Sequence, residues 1–484
     1  MVAALVVALC STAGAQEPLR WGGDAEGGAP FVEADPRNPA NVTGFDVEIA
    51  DLIARTLGRP AQFKQTTFTE LDQSAARRDF DIGLSGIEDT PGRRMAVAVS
   101  IPYYEFQEVL TVRAPDRDRF RALPDLRGKR IGTLGGTIAY EVLLEAERAH
   151  GITAVSYDDD IHPYSDLLIG RLDGVLLDNV LANRATQRMA GLAVQPGSVR
   201  TGHYVIVTAR EQSALRDRVN EILRTAMRDG TLEAIFRRWN VWNDDQPRLY
   251  AQIARDGAAT LPGAAAPRSR GELVRAYLPL LFRAAGLTLV LSCLAMALAI
   301  GAGMMVAIGR VYGPRWLQLI CIGYVELFRG TPLLLQLFVL YYGLASIIRL
   351  PAWLAAIMGL GLNYAAYEAE IYRAALEAIP RGQLEAAQVL GFTRRQTLRL
   401  IRGPQALRLA LAPMTNDFVA MLKDSSLVSV LTVTELTKQT QIFATNIGSW
   451  VIPGALCGAL YLAMSLPIAR AARALEARWK APGV

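Results

Sequence analysis

At 484 residues the chain is long enough for two or three domains, and its 51% hydrophobic content is unevenly spread, mixed and charged at first but apolar in long blocks after about residue 280. The net charge of +5 comes from arginines gathered near the ends of those blocks, a membrane-topology signal rather than a phosphate-tracking face, so nucleic acid is excluded as the partner. Four cysteines, Cys10, Cys293, Cys321 and Cys457, and three scattered histidines, His150, His162 and His203, make no ligand spacing, so no metal site, disulfide framework or bound cofactor is expected.

Residues 1–16 are an apolar run ending in Ala13-Gly14-Ala15, the small-residue pattern of a cleaved leader. The usual positive start is missing, which suggests a truncated beginning. A lipidated Cys10 is the alternative, but Leu9 before it is too large for that signal, so cleavage after Ala15 is expected, with export of the chain beyond it. From residue 19 to about 242, short β-rich runs alternate with helical runs, the signature of an α/β domain. The spacing predicts strands at 19–22, 81–85, 108–113, 130–133, 174–177 and 204–208. It predicts helices at 45–57, 70–77, 139–150, 165–170, 181–189 and 213–228.

The same stretch carries Ala29-Pro30-Phe31, Gly44-Phe45-Asp46-Val47-Glu48-Ile49-Ala50 and Thr90-Pro91-Gly92-Arg93. It continues with Ser100-Ile101-Pro102-Tyr103, Gly136-Thr137, Arg171-Leu172-Asp173 and Asp229-Gly230. In this order they resemble the amino-acid-binding proteins of periplasmic solute-binding family 3. The resemblance implies a two-lobed, periplasmic-binding-protein-like α/β domain over residues 17–243. Its lobes would be joined by two crossing strands, at 108–113 and 204–208, and would close on a ligand between them.

An α-carboxylate is best met by a planar two-pronged donor, and Arg93 matches the family position for it. Thr137 opens a helical run whose positive end adds to the same site. Asp178 matches the carboxylate that receives the ligand's ammonium, while Asp173 reads as structural. Phe68 matches the pocket wall, backbone groups of Ser85 and Ile87 complete the carboxylate contacts, and Asp24 can meet a polar or cationic ligand side chain. Two departures stand out. Glu88 occupies a place where the family commonly has Ser or Thr, and its charge would repel a ligand carboxylate unless it turns away or pairs with Arg93 or Arg94. The segment 24–30 has glycine where an aromatic often stacks.

Residues 244–275 read as a linker rich in Ala, Gly, Pro and Arg, with at most one helical turn near 250–253. The membrane domain occupies 276–475, with apolar stretches near 280–308, 318–345, 352–376, 411–433 and 449–469, each long enough to span a bilayer. Arg310 and Arg315, then Arg470, Arg473, Arg478 and Lys480, flank the inner ends, against little more than Arg349 and Lys438 outside. Five spans beginning outside end inside, so the C-terminus is expected in the cytoplasm of a bacterial inner membrane and the N-terminal domain outside it. Asn416, Asp417 or Lys423 lies near a translocation path or in interhelical packing. Thr331-Pro332 should bend its helix.

Between the third and fourth stretches lies Glu385-Ala386-Ala387-Gln388-Val389-Leu390-Gly391, continuing through Thr393 and Ile401 to Pro404. Residues 383–390 favour a helix, Gly391 supplies a positive φ to stop it, Thr393 caps a second short helix, and Gly403-Pro404 ends that one. Arg394, Arg395, Arg399, Arg402 and Arg408 load the region with positive charge. The run 383–404 resembles the "EAA" loop of ABC importer membrane subunits, with Gly403 where the family has Leu. Tyr324-Val325-Glu326-Leu327-Phe328-Arg329-Gly330-Thr331-Pro332, Ala366-Tyr367-Glu368-Ala369-Glu370 and Lys423-Asp424-Ser425-Ser426-Leu427 are similar to polar amino acid permeases.

These resemblances imply an all-α multi-span membrane domain of the ABC importer permease type. Glu385, Ala386, Ala387 and Gly391 would couple it to an ATPase. No G-x-x-x-x-G-K-[ST] loop occurs, so ATP hydrolysis is assigned to separate subunits and the chain itself is not expected to be an enzyme. One permease half per chain implies a homodimer with two ATPase subunits, embedded in membrane lipid, taking up an amino acid. The rival is a ligand-gated ion channel with an amino-acid-binding domain. In such channels the pore interrupts the binding domain, whereas here that domain is complete by about Trp242.

Overall fold

The computed structural model describes residues 17–25, 30–35, 37–256, 270–345, 347–447 and 449–479; the expected leader, 1–16, lies outside them. The chain divides into two compact units, the bulk of the first lying before Pro267 and the bulk of the second from Arg268 on.

The N-terminal unit has two five-stranded sheets. The first runs Ala61–Gln65, Leu19–Gly23, Ile82–Gly83, Val207–Thr208, Ala98–Val99, with Leu19–Gly23 parallel to both its neighbours. The second runs Leu192–Tyr204, Tyr104–Arg113, Gly174–Asp178, Arg130–Leu134, Thr153–Tyr157. Helices return the chain between parallel strands, as the alternating pattern requires. Two antiparallel connections cross between the lobes, near Tyr104 and near Tyr204, where the Tyr103 amide donates to the Tyr204 carbonyl at 3.0 Å. The first crossing thus starts at Tyr104, before the expected Glu108. Tyr104 and Phe106 stack on Tyr204 with ring centroids 5.5 and 4.5 Å away, so the crossing is an aromatic pile rather than bare backbone.

Helix Asp245–Asp256 corrects the expected linker. Leu249 and Ile253, four apart, bury one face; Gln246 accepts from the Glu105 amide at 2.9 Å and donates to its carbonyl at 2.8 Å. This helix is part of the binding unit, which therefore extends past residue 243. The Gln246 clamp is a tertiary contact that a composition-based reading misses.

In the C-terminal unit, helix Arg270–Tyr312 packs along Ala352–Glu377 through small residues. A Cβ on Gly303 would stand 2.8 Å from the Glu368 Cβ and 2.9 Å from the Ala365 carbonyl oxygen, so the close approach needs glycine. Among the described residues, Val274–Tyr312 and Val451–Ala474 are long and apolar enough to cross a membrane, and a third crossing results if Arg315–Gly330 and Leu333–Gly343 count as one broken span bent by 107°. The bend falls at Thr331-Pro332, where expected. Pro332 has no N–H for the Phe328 carbonyl; Gln336 Nε2 donates to it at 2.9 Å and Asn363 Nδ2 at 3.2 Å. The stretch expected at 411–433 is instead helix Gly403–Asp424, then a tight turn Ser425–Leu431, with a further helix at Leu436–Ile447. Ser425 Oγ donates to the Leu422 carbonyl there, so the side chain takes over a backbone acceptor where the helix ends.

Candidate functional site

The proposed cleft residues divide between an inward set and a supporting set. Thr90 caps helix Pro91–Ala96 by accepting from the Arg93 amide, and that short helix turns Arg93 inward until it is 2% exposed. Its Nε donates to both Asp72 carboxylate oxygens, at 2.7 and 3.0 Å, and Nη1 donates to the Glu88 carbonyl. Much of the expected two-pronged donor is therefore engaged within the protein. Thr137 is the N-cap of helix Ile138–His150, its Oγ1 accepting from the Tyr140 amide at 3.2 Å and donating to the Leu134 carbonyl at 2.7 Å. Asp178 caps helix Asn179–Arg188 through the Leu181 amide at 2.9 Å. Thr137 and Asp178 are both buried.

The others support that arrangement. Asp24 accepts from Gln65 Nε2 at 3.2 Å and the Phe68 amide at 2.9 Å, while the Asp24 amide donates to Ser85 Oγ at 3.2 Å. The Ile87 carbonyl accepts from the Val205 amide at 2.8 Å, tying that residue to the crossing. Phe68 is half-buried against Leu71, Phe80 and Ile87, a position shared between wall and core. Asp173 accepts from the Arg130 amide at 3.1 Å and pairs with Lys129 at 3.3 Å.

Glu88 resolves its own difficulty in a way the sequence does not reveal. It pairs with neither Arg93 nor Arg94 through its carboxylate; Arg94 is taken by Asp89, with Nη2 to Oδ2 at 2.5 Å. Instead Glu88 Oε2 reaches from one lobe to the other and accepts from the Ile138 amide at 2.6 Å, at the amide-rich start of the helix. Burial pushes the Glu88 carboxyl up to about 8; the Ile138 amide and Arg93 oppose that, and Asp178 and Glu141 reinforce it. Burial likewise brings Asp178 to about 6, against the pull of the Leu181 amide.

Glu108, which sequence reasoning misses, joins them. It is fully buried, lies directly across the strand pair from Asp178, and is raised well above the usual carboxylate range by burial and by the charges of Glu88 and Asp178. The available signal is an acid immediately ahead of the apolar residues Val109, Leu110 and Val112, on a strand buried almost throughout.

In the C-terminal unit, helix Arg381–Val389 stops at Gly391 with φ of 79°, and Thr393 makes a reciprocal cap with Gln396. Glu385, Ala386 and Gly391 are exposed while Ala387 is buried. Val389 is 87% and Leu390 74% exposed, apolar surface amid arginines. Gly403-Pro404 does not end the second helix. A π-turn over Thr397–Arg402 runs straight into Gly403–Asp424, placing proline in a first turn where its missing N–H is tolerated. Arg402 holds the elbow to the bundle, donating from Nε to the Leu376 carbonyl and from Nη1 to Tyr312 Oη, both at 2.7 Å.

Comparison with known proteins matches residues 19–241 to bacterial extracellular solute-binding proteins, family 3. Residues 299–481 match the binding-protein-dependent transport system inner membrane component. The probable amino-acid permease protein YxeN of Bacillus subtilis (strain 168) is 39% identical over 179 residues, 36% of this chain and 80% of that protein. The glutamine transport system permease protein GlnP of Escherichia coli (strain K12) is 34% identical over 207 residues, 42% of this chain and 94% of that one. Among solved structures, the P235GK mutant of ArgBP from T. maritima is similar at 29% identity and a TM-score of 0.42, covering 46% of this chain and 95% of that one.

Proposed function

Because the chain belongs to the inner membrane components of binding-protein-dependent transport systems, with a family 3 solute-binding domain ahead of its permease half, we propose that it captures an amino acid and passes it through the membrane as one subunit of an ATP-driven importer. What supports this reading is one polypeptide that turns Arg93, Thr137 and Asp178 inward in its α/β unit and leaves Glu385, Ala386, Val389, Leu390 and Gly391 exposed in its helical one. Nothing in the fold or the comparisons supports the ion-channel alternative.

The partners follow from this reading. Two chains pair through their permease halves, two ATPase subunits bind the elbows beneath the bilayer, and the binding domain faces the outside. Ligand draws the lobes together, the closed domain presents it to the pore, and ATP binding pulls the elbows toward each other. Val389 and Leu390 supply the apolar contact expected where a helix end enters a groove on a partner. Arg93, with Thr137 and the amide end it caps, attracts the anionic side of the ligand, and Asp178 attracts the cationic side.

The test is reconstitution of the full chain with its ATPase in liposomes. Amino-acid-stimulated ATP hydrolysis with matching uptake supports the reading. Conductance without ATP, or hydrolysis indifferent to every amino acid, defeats it.

A further inference from the structure

Charge is unevenly balanced in the cleft. Glu88, Glu108 and Asp178 are 4%, 0% and 5% exposed; Asp178 raises the affinity of Glu88 for a proton, and both raise that of Glu108. Asp178 and Glu108 are direct partners on adjacent antiparallel strands, where two ionised carboxylates would repel each other. Arg93, a buried cation that Glu88 feels, is already matched by Asp72. Other charges around the group are engaged too: Arg200 with Glu145, Arg184 with Asp160, and His203 beside Glu105. Glu141, on the Ile138–His150 helix, adds a further negative charge.

A second observation is independent of the charge count. Both Glu108 oxygens and the Tyr204 hydroxyl are buried, with the Ala139 amide directed at Glu108 and the Tyr204 hydroxyl at Asp178. Tyr204 feels Asp178, Glu88 and Glu108 together, so its hydroxyl belongs to the same space. One amide and one hydroxyl leave most of the lone pairs of these two buried carboxyls unused, acceptor capacity that suits a guest bearing N–H donors.

The geometry points to a cleft that selects ligands of net positive charge, with Glu88 already seated on the helix amide that would otherwise receive a ligand's carboxylate. This rests on the reading of the N-terminal unit as an amino-acid-binding domain and narrows it to basic amino acids or their decarboxylated amines. A cationic ligand places ammonium or guanidinium hydrogens against Glu108 and Asp178, so that protons held on the buried acids pass to solvent and charge-assisted hydrogen bonds form in their place. A neutral zwitterion brings one positive and one negative group, and the negative one must displace Glu88 from Ile138. An acidic amino acid brings two.

The experiment is calorimetric titration of the full chain in detergent with arginine, lysine, agmatine, putrescine, glutamine and glutamate. At least one cation should bind about 100-fold more tightly than glutamine, as two charge-assisted hydrogen bonds allow, with glutamate undetected. Arginine binding over agmatine identifies a basic amino acid as the ligand; the reverse identifies the amine. Glu88→Gln should narrow the margin over glutamine roughly tenfold or more while the protein still unfolds cooperatively on heating. If that variant does not fold, Glu108→Gln carries the same expectation. Glutamine or glutamate binding as tightly as any cation overturns the charge inference alone. No binding by any of the six overturns the amino-acid reading along with it.

Discussion

Asp46 is fully buried, and its two oxygens accept from the Gly86 amide and the Tyr103 hydroxyl, each at 2.7 Å. Burial outweighs those bonds and pushes its carboxyl up to about 7 from 3.8. Because the folded value lies above the unfolded one, its favourable contribution is complete below pH 4 or so and is lost as pH rises through about 7. Asp46→Asn keeps an acceptor for Gly86, and Tyr103 can accept from the new amide. That variant should therefore melt nearly as the parent does at pH 5 and relatively higher at pH 8. Asp46→Ala orphans both donors and should cost roughly 2–4 kcal/mol at pH 5, by denaturant unfolding of the full chain. At this scale the sequence is informative where a motif sets the register. Arg93, Thr137 and Asp178 are all turned inward, two of them as helix caps. Glu108 stays hidden because a strand buried on both faces has no alternation to mark an odd residue.

Helix ends are legible for the same local reasons, as Gly391 and the Thr393 cap illustrate. Gly403-Pro404 misleads because proline reads as a terminator, whereas a preceding π-turn lets it open the next helix. Leu390→Asp removes apolar surface at the elbow without touching the cleft, so it should abolish ligand-stimulated ATP hydrolysis in liposomes and leave the calorimetric affinity for ligand unchanged. Helix packing offers a second test. Gly303→Val drives a side chain into the Ala365 carbonyl and should destabilise the full chain by about 1–3 kcal/mol or more, read as a lower melting temperature in detergent. Gly301→Ala meets nothing within 4 Å and should be neutral or stabilising by up to about 1 kcal/mol.

For the whole molecule, the order of the two halves and their fold classes can be read from composition and periodicity, but the boundary between them cannot. Helix Asp245–Asp256 depends on contacts with Tyr103 and Glu105, more than a hundred positions earlier in the chain. A cut that spares the binding unit must therefore fall after Asp256. Carrying receptor and pore on one chain replaces diffusional encounter by a high local concentration of one at the other. Cleavage at a protease site placed there should lower uptake at scarce ligand by about tenfold or more and leave uptake at saturating receptor concentration intact, measured with radiolabelled substrate in liposomes.

The turn at Pro332 bears on how such a machine moves. Gln336 Nε2 also reaches Thr331 O at 3.1 Å and Thr331 Oγ1 at 2.8 Å, and Asn363 Nδ2 grips Gln336 Oε1 at 3.0 Å. With the loose acceptors at the break riveted to side chains of the next helices, the corner is a welded bracket. Flexing it would sacrifice several hydrogen bonds at once, each worth about 1 kcal/mol. Arg315–Gly330, Leu333–Phe338 and Ala352–Glu377 must then travel as one stiff piece, leaving the stroke of the cycle to be made at their borders with other helices.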